Sequence, residues 1–131
     1  MAAKLTPFLM FEGSAQQAMR RYVDLFDDGQ IRSLDLYGPG EQGAEGTVRH
    51  AEFAIAGRTL RCIDSPAAHA FTFTPAVSLF VDCENEEQLR SLAEGLGEGG
   101  AMLMPIGNYG FSRLFVWLND RWGVSWQLSL P

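Results

Sequence analysis

LTPFLMFEGSAQQAM, residues 5–19, is answered later in the chain by FTPAVSLFVDCENEEQL, residues 73–89. Both run from Thr-Pro through an apolar stretch and a small or acidic turn into a capped amphipathic segment, with Pro7 and Pro75 in matching places. Self-similarity of this kind sets architecture before any single element does. A second pair of stretches extends the match, GRTLRCID (57–64) beside GVSWQLSL (123–130). One strand-helix-strand-strand-strand unit is therefore expected twice within a single domain spanning 1–131, as module 1 over about 1–66 and module 2 over about 74–131.

The two helices carry the firmest signals. In Ser14 to Phe26, the residues Ala15, Ala18, Met19, Tyr22, Val23 and Phe26 recur at three- and four-residue spacing and mark one buried stripe. Ser14 with Gln17 has the pattern of a capping box. Asn85 with Gln88 repeats that pattern, Leu89, Leu92, Ala93 and Leu96 make the second stripe, and Gly97 is placed to end it. Strands are expected at about 4–11, 30–37, 47–56, 59–64, 75–83, 101–106, 112–119 and 123–130. Ala56-Gly57 and residues 119–123 read as hairpin turns, and 38–46 and 105–110 as longer loops.

Two four-stranded sheets with helices outside give an α+β fold, a cupped, mostly antiparallel, half-open barrel whose helix-free faces line a concavity. Residues Val124, Trp126, Leu128 and Leu130 alternate with Ser125, Gln127 and Ser129, which puts the polar set on the face opposite the core. On 75–83 the same parity gives Val77, Leu79 and Val81 to the core and Ala76, Ser78 and Phe80 to the concavity.

Composition narrows the functional classes. At 47% hydrophobic and 20% charged the chain can build a sizeable core, and its net charge of −6 opposes binding to nucleic acid or an anionic membrane surface. No apolar run approaches the roughly 20 residues of a membrane span, and the start MAAKLTPFLMFEG breaks too early for a secretory signal, so a cytoplasmic location is expected. Cys62 and Cys83 lack metal-site spacing and read as reduced core residues.

Taken together, TPFLMFEGSAQQAMRRYVDLF, FTFTPAVSLFVDC and NDRWGVSWQL resemble the vicinal oxygen chelate superfamily of glyoxalases, extradiol dioxygenases and bleomycin and fosfomycin resistance proteins. Within it they resemble the PhnB-like branch labelled 3-demethylubiquinone methyltransferase-like. The resemblance implies ligand-bearing positions on the first and last strands of each module, here Pro7, Arg61, Ala76 and Gln127. None is a good divalent-cation ligand, because the group needs several anionic or imidazole donors. Nor does a glycine-rich turn open onto a helix as a nucleotide or adenosylmethionine site would require; Gly38, Gly40, Gly43 and Gly46 form a surface loop or a lid.

The expected function is accordingly small-molecule binding in a metal-free pocket, by a homodimer, with no cofactor preferred over a divalent metal. The pocket set is Gln127, Ser125, Arg61, Ser78, Phe80 and Trp117, with the catalytic residues unassigned. Gln127 can donate and accept, and Arg61 can hold an anionic oxygen. His50 and His69 have no partnered nucleophile in a recognisable motif, Tyr22 and Tyr109 are pocket-edge candidates, and Asp120 is expected to build its hairpin. The competing reading is a metal-dependent lyase, isomerase or dioxygenase, or a resistance-type transferase, of the same superfamily.

Overall fold

Gly29 and Gly100 stand immediately before the second strand of each module, and both are required by packing. In the computed structural model, which describes residues 2–131, a Cβ at Gly29 would lie 2.0 Å from the Val23 carbonyl oxygen, and one at Gly100 2.0 Å from that of Asn119. The elements around these turns are β1(Phe8–Phe11), α1(Ala15–Leu25), β2(Gln30–Leu36), β3(Val48–Ile55) and β4(Arg58–Asp64), then β5(Ser78–Asp82), α2(Glu86–Gly97), β6(Ala101–Gly107), β7(Leu114–Asn119) and β8(Ser125–Leu130). The doubled βαβββ order and the α+β class match the sequence reading.

Strand order is β1-β4-β3-β2 in one sheet and β5-β8-β7-β6 in the other, and neither sheet closes into a barrel. The β1–β4 and β5–β8 pairs are parallel and the other pairs antiparallel. Contacts divide the chain into two compact units, Met1–Ala70 and Phe71–Pro131.

The Thr-Pro landmarks do not correspond in space. Pro7 directly precedes β1, whereas Pro75 and Ala76 form a turn ahead of β5, so the fifth strand is shorter than its apolar sequence suggested. Val77 lies outside that strand and is 77% exposed, which removes it from the expected core set. Register supplies the true correspondence: Phe8 pairs with Arg61 and Phe80 with Gln127.

In the first unit α1 packs on β2, β3 and β4, burying Ala18, Met19 and Tyr22 against Phe53, Leu60 and Cys62. The Tyr22 and Phe53 rings lie 6.2 Å apart, so Tyr22 is a core residue and not a pocket edge. Burying an aliphatic or aromatic side chain of this size contributes about 1.5–3 kcal/mol. The helix starts differently from its sequence pattern. The Ser14 side chain makes no cap bond; Asp64, at the end of β4, accepts from the Gly13 and Ala15 amides at 2.7 and 3.0 Å and from Val48 N at 2.9 Å. The β3–β4 turn is a two-residue loop with Ala56 at φ 48° and Gly57 at φ 76°, both amides donating to the Asp28 carboxylate.

In the second unit α2 lies on β7 and β8, with Leu89, Leu92, Ala93 and Leu96 buried. Here the expected cap forms: Asn85 accepts from Gln88 N at 2.8 Å, and the Gln88 side chain accepts from Glu84 N at 2.7 Å. Leu118, Trp126 and Leu128 form the helix-side face, and a Cβ at Gly97 would touch Leu118 Cδ2 at 3.8 Å. Asp120 builds the β7–β8 turn as expected, accepting from Trp122 N, Val124 N and the Trp126 indole at 2.9, 3.0 and 3.0 Å. Among the described residues no helix is long and apolar enough to cross a membrane.

Candidate functional site

Strand parity puts a second set of side chains on the face of the β5-β8-β7-β6 sheet away from α2. The register aligns Ser78 with Ser125, Phe80 with Gln127 and Asp82 with Ser129, then Trp117 with Gln127 and Phe115 with Ser129. Five of the six residues expected at the site, Ser78, Phe80, Trp117, Ser125 and Gln127, therefore share one face of one sheet.

Four of them are joined in one hydrogen-bonded run. The Trp117 indole N–H donates to Ser125 Oγ at 2.9 Å, Ser125 and Ser78 share a hydrogen bond of 2.7 Å between their hydroxyls, and Gln127 Nε2 donates to Ser78 Oγ at 3.1 Å. Ser125 is 1% exposed, so its bonds compensate a desolvated hydroxyl. The Gln127 carbonyl oxygen makes no hydrogen bond among the described residues and belongs to a half-buried side chain.

Beside this run lies an aromatic ridge. Phe80 is 56% exposed and its ring sits 6.4 Å from Phe115; Phe111 meets Phe115 edge-on at 4.9 Å, and Tyr109 stacks on Phe111 at 6.4 Å. The Tyr109 hydroxyl donates to Pro105 O at 2.6 Å, which fixes the loop between β6 and β7. Phe80 and Tyr109 are expected from the sequence; Phe111 is not, because it follows Gly110, at φ 99°, in a loop where strand parity assigns no face.

Arg61, the sixth expected residue, lies on the corresponding strand of the first unit, on the face away from α1. Its neighbours there are Phe8 and Glu52, and Arg61 Nε stands 3.9 Å from Glu52 Oε2. His50 occupies the same face, 6.5 Å from the Phe8 ring. An open groove of about 670 Å³ in this unit, between residues 3–7 and Gly57 to Thr59, contains none of the expected site residues.

The donor set does not fit a divalent cation. Of the four positions implied for metal ligands, Pro7 and Ala76 lie off the strands and Arg61 and Gln127 are a cation and a neutral amide. Among the described residues no three His, Cys, Asp or Glu side chains are grouped to hold a metal. The glycine-bearing loop between β2 and β3 is pinned by Tyr37 N to Thr47 O and Gly46 N to Tyr37 O bonds of 2.8 and 2.9 Å, and by Arg49 on Glu41 at 2.8 Å. His69 shares a 2.8 Å bond with Ser65 Oγ, which also bonds the Ala67 carbonyl at 2.9 Å. A hydroxyl donating to that carbonyl accepts from the imidazole, so the pair is not an activated nucleophile.

Both cysteines are free and buried. Burial, with Asp64 nearby, pushes the Cys62 thiol up to about 12. Burial and Asp82 raise Cys83 to about 11 against the lowering effect of its backbone bond at Ser129. Neither is a thiolate near neutrality.

Comparison with known proteins agrees with this architecture. The family model described as 3-demethylubiquinone-9 3-methyltransferase matches residues 3–129. The structure of the PhnB protein from Bacillus cereus is 52% identical, covering 98% of this chain and 100% of that one, with a TM-score of 0.96. A glyoxylase/bleomycin resistance/dioxygenase domain from a Frankia species is 18% identical over 99% and 98% of the two chains at a TM-score of 0.61. The fosfomycin resistance protein FosX from Mesorhizobium loti is 14% identical over 100% and 94% at 0.56. Among curated proteins none matches. The chain shares its fold with the glyoxylase/bleomycin resistance/dioxygenase domain and with FosX, and it belongs to the PhnB-like 3-demethylubiquinone-9 3-methyltransferase family.

Proposed function

We propose that this protein binds a small organic molecule, without a metal ion, on the helix-free face of the β5-β8-β7-β6 sheet. The observation that carries the reading is the run Trp117–Ser125–Ser78–Gln127, which gathers polar atoms beside exposed rings on a single face. A few placed polar groups next to apolar surface is the usual composition of a ligand site. Ser125 and Trp117 act as support, holding Ser78 and Gln127, which face the ligand. Arg61 is engaged with Glu52 and is left out of this set. The methyl-transfer activity in the family description is not extended to this chain, because Gly38, Gly40, Gly43 and Gly46 lie between two strands with no helix behind them.

The test is mass spectrometry and metal analysis of protein isolated from cells without chelators. Support is a co-purifying organic molecule that Gln127→Ala loses while the circular dichroism and melting temperature stay unchanged. Stoichiometric Mn, Fe, Ni or Zn would overturn the reading in favour of a metal-dependent lyase, isomerase or dioxygenase, or a resistance-type transferase. Two free buried thiols fit a reducing compartment, and we place the protein in the cytoplasm.

The active species in this reading is a homodimer. Edge strand β2, QIRSLDL, carries Arg32 and Asp35, whereas edge strand β6, AMLMPIG, has no charge and exposes Met102 and Leu103 at 48% and 39%. Uncharged apolar edges are surfaces that a second chain covers.

A further inference from the structure

Hydrogen atoms in the polar run can be counted, and the count fixes what the site shows to a ligand. Trp117 brings one obligate N–H to Ser125, and Gln127 brings an N–H to Ser78. The two serine hydroxyls bring one hydrogen each, and only one of these can lie in the 2.7 Å link between them. Ser125 is 1% exposed, and among the described residues its hydroxyl bonds only to Trp117, which cannot accept, and to Ser78. Its hydrogen therefore takes the link, because otherwise a buried donor would be left unmet at a cost of about 1–3 kcal/mol. Asn119, opposite Ser125 on β7, offers no alternative, since its buried Oδ1 has no hydrogen-bond partner.

The Ser78 hydroxyl then accepts twice and points its own hydrogen away from the run. Next to it Gln127 offers a free carbonyl oxygen and the second hydrogen of Nε2. A donor beside an acceptor is the complement of a group that itself carries an acceptor beside a donor. Phe80, paired in register with Gln127, adds a half-exposed ring on the same face, continued by Phe115 and Phe111. Asp82 stands two residues along β5 on that face and disfavours an anion.

We propose that the ligand class is a neutral carboxamide or lactam attached to an aromatic ring, its C=O taken by the Ser78 hydroxyl and its N–H by the Gln127 carbonyl, with the ring on Phe80. This assignment rests on the binding face proposed above and specifies what it selects.

The experiment titrates the full chain with benzamide, benzoate, acetophenone and acetamide, following the Trp117 indole and Gln127 side-chain amide signals by NMR. Fragments of this size bind in the millimolar range. Benzamide is expected to bind at least about tenfold tighter than the other three, which lack neutrality, the donor or the ring respectively. Phe80→Ala should bring benzamide to the level of acetamide, and Ser78→Ala, which removes the hydroxyl that takes the C=O, should weaken benzamide about tenfold. Benzoate or acetophenone binding as well as benzamide, with both signals moving, overturns the ligand class and leaves the binding face standing. No movement of either signal with any probe overturns both.

Discussion

Cys62 shows how one side chain's surroundings become a pH dependence. Its thiol is raised from 9.0 to about 12, first by burial and then by Asp64, and Cys83 is raised to about 11 by burial and Asp82. A raised thiol pKa means that the folded chain keeps protons which the unfolded chain releases above 9. The stabilising contribution is thus complete below about pH 9 and is lost as pH rises toward the folded values. Urea midpoints should fall between about pH 8 and about pH 10.5, and the fall should shrink in a Cys62→Ala/Cys83→Ala chain. The same thiols should resist iodoacetamide near neutrality unless denaturant is present, because the thiolate is the reacting species. Rapid labelling of the folded chain at about pH 7.5 would contradict the burial of both side chains.

At the level of elements, the two helices start by different means although their sequences look alike. Asn85 caps α2 through a local bond three residues away, so Asn85→Ala should cost about 1 kcal/mol. Ser14 makes no such bond, so Ser14→Ala should stay within about 0.5 kcal/mol, whereas Asp64→Asn, which turns an NH₂ toward amide donors, should cost about 2–4 kcal/mol. Urea denaturation of the three variants checks the ranking, and a Ser14 effect as large as Asp64 would contradict it. The contrast also separates what was legible in the sequence from what was not. Period-two parity placed Ser125, Gln127, Ser78 and Phe80 on one face, and helical spacing found both buried stripes, because each depends only on neighbours along the chain. Asp64 capping a helix 49 residues earlier depends on where β4 ends beside α1, which local pattern does not encode. The Thr-Pro pair misled for a related reason: Pro7 and Pro75 match as letters, but the turn at Pro75 and Ala76 delays β5. Gly29 and Gly100 were readable only after the strands were placed, since each is defined by its position before the second strand.

For the whole molecule, the doubled βαβββ plan has been kept while the two copies have diverged in chemistry. On the helix-free faces, β4 carries Arg61 beside Glu52, where β8 carries Gln127 between Phe80 and Trp117. Arg61 and Glu52 in one unit are charged and paired, whereas the polar side chains around Gln127 in the other, Ser78, Ser125 and Trp117, are neutral, linked and set among rings. The sheet edges have diverged in the same way. Charged residues on an edge oppose pairing with another chain, and β2 carries them. On β6 the Ala101–Met104 end is uncharged, while Pro105 and the register shifts on either side of Met104 limit how far any pairing along that edge could extend. A second copy is therefore expected to cover Met102 and Leu103, and sedimentation should give twice the mass of one chain. Met102→Lys with Leu103→Lys should shift that species to the monomer while leaving the circular dichroism unchanged, because both side chains are exposed in the single chain. A wild-type chain that sediments as a monomer, or a double variant that remains dimeric, would place the contact elsewhere or remove it.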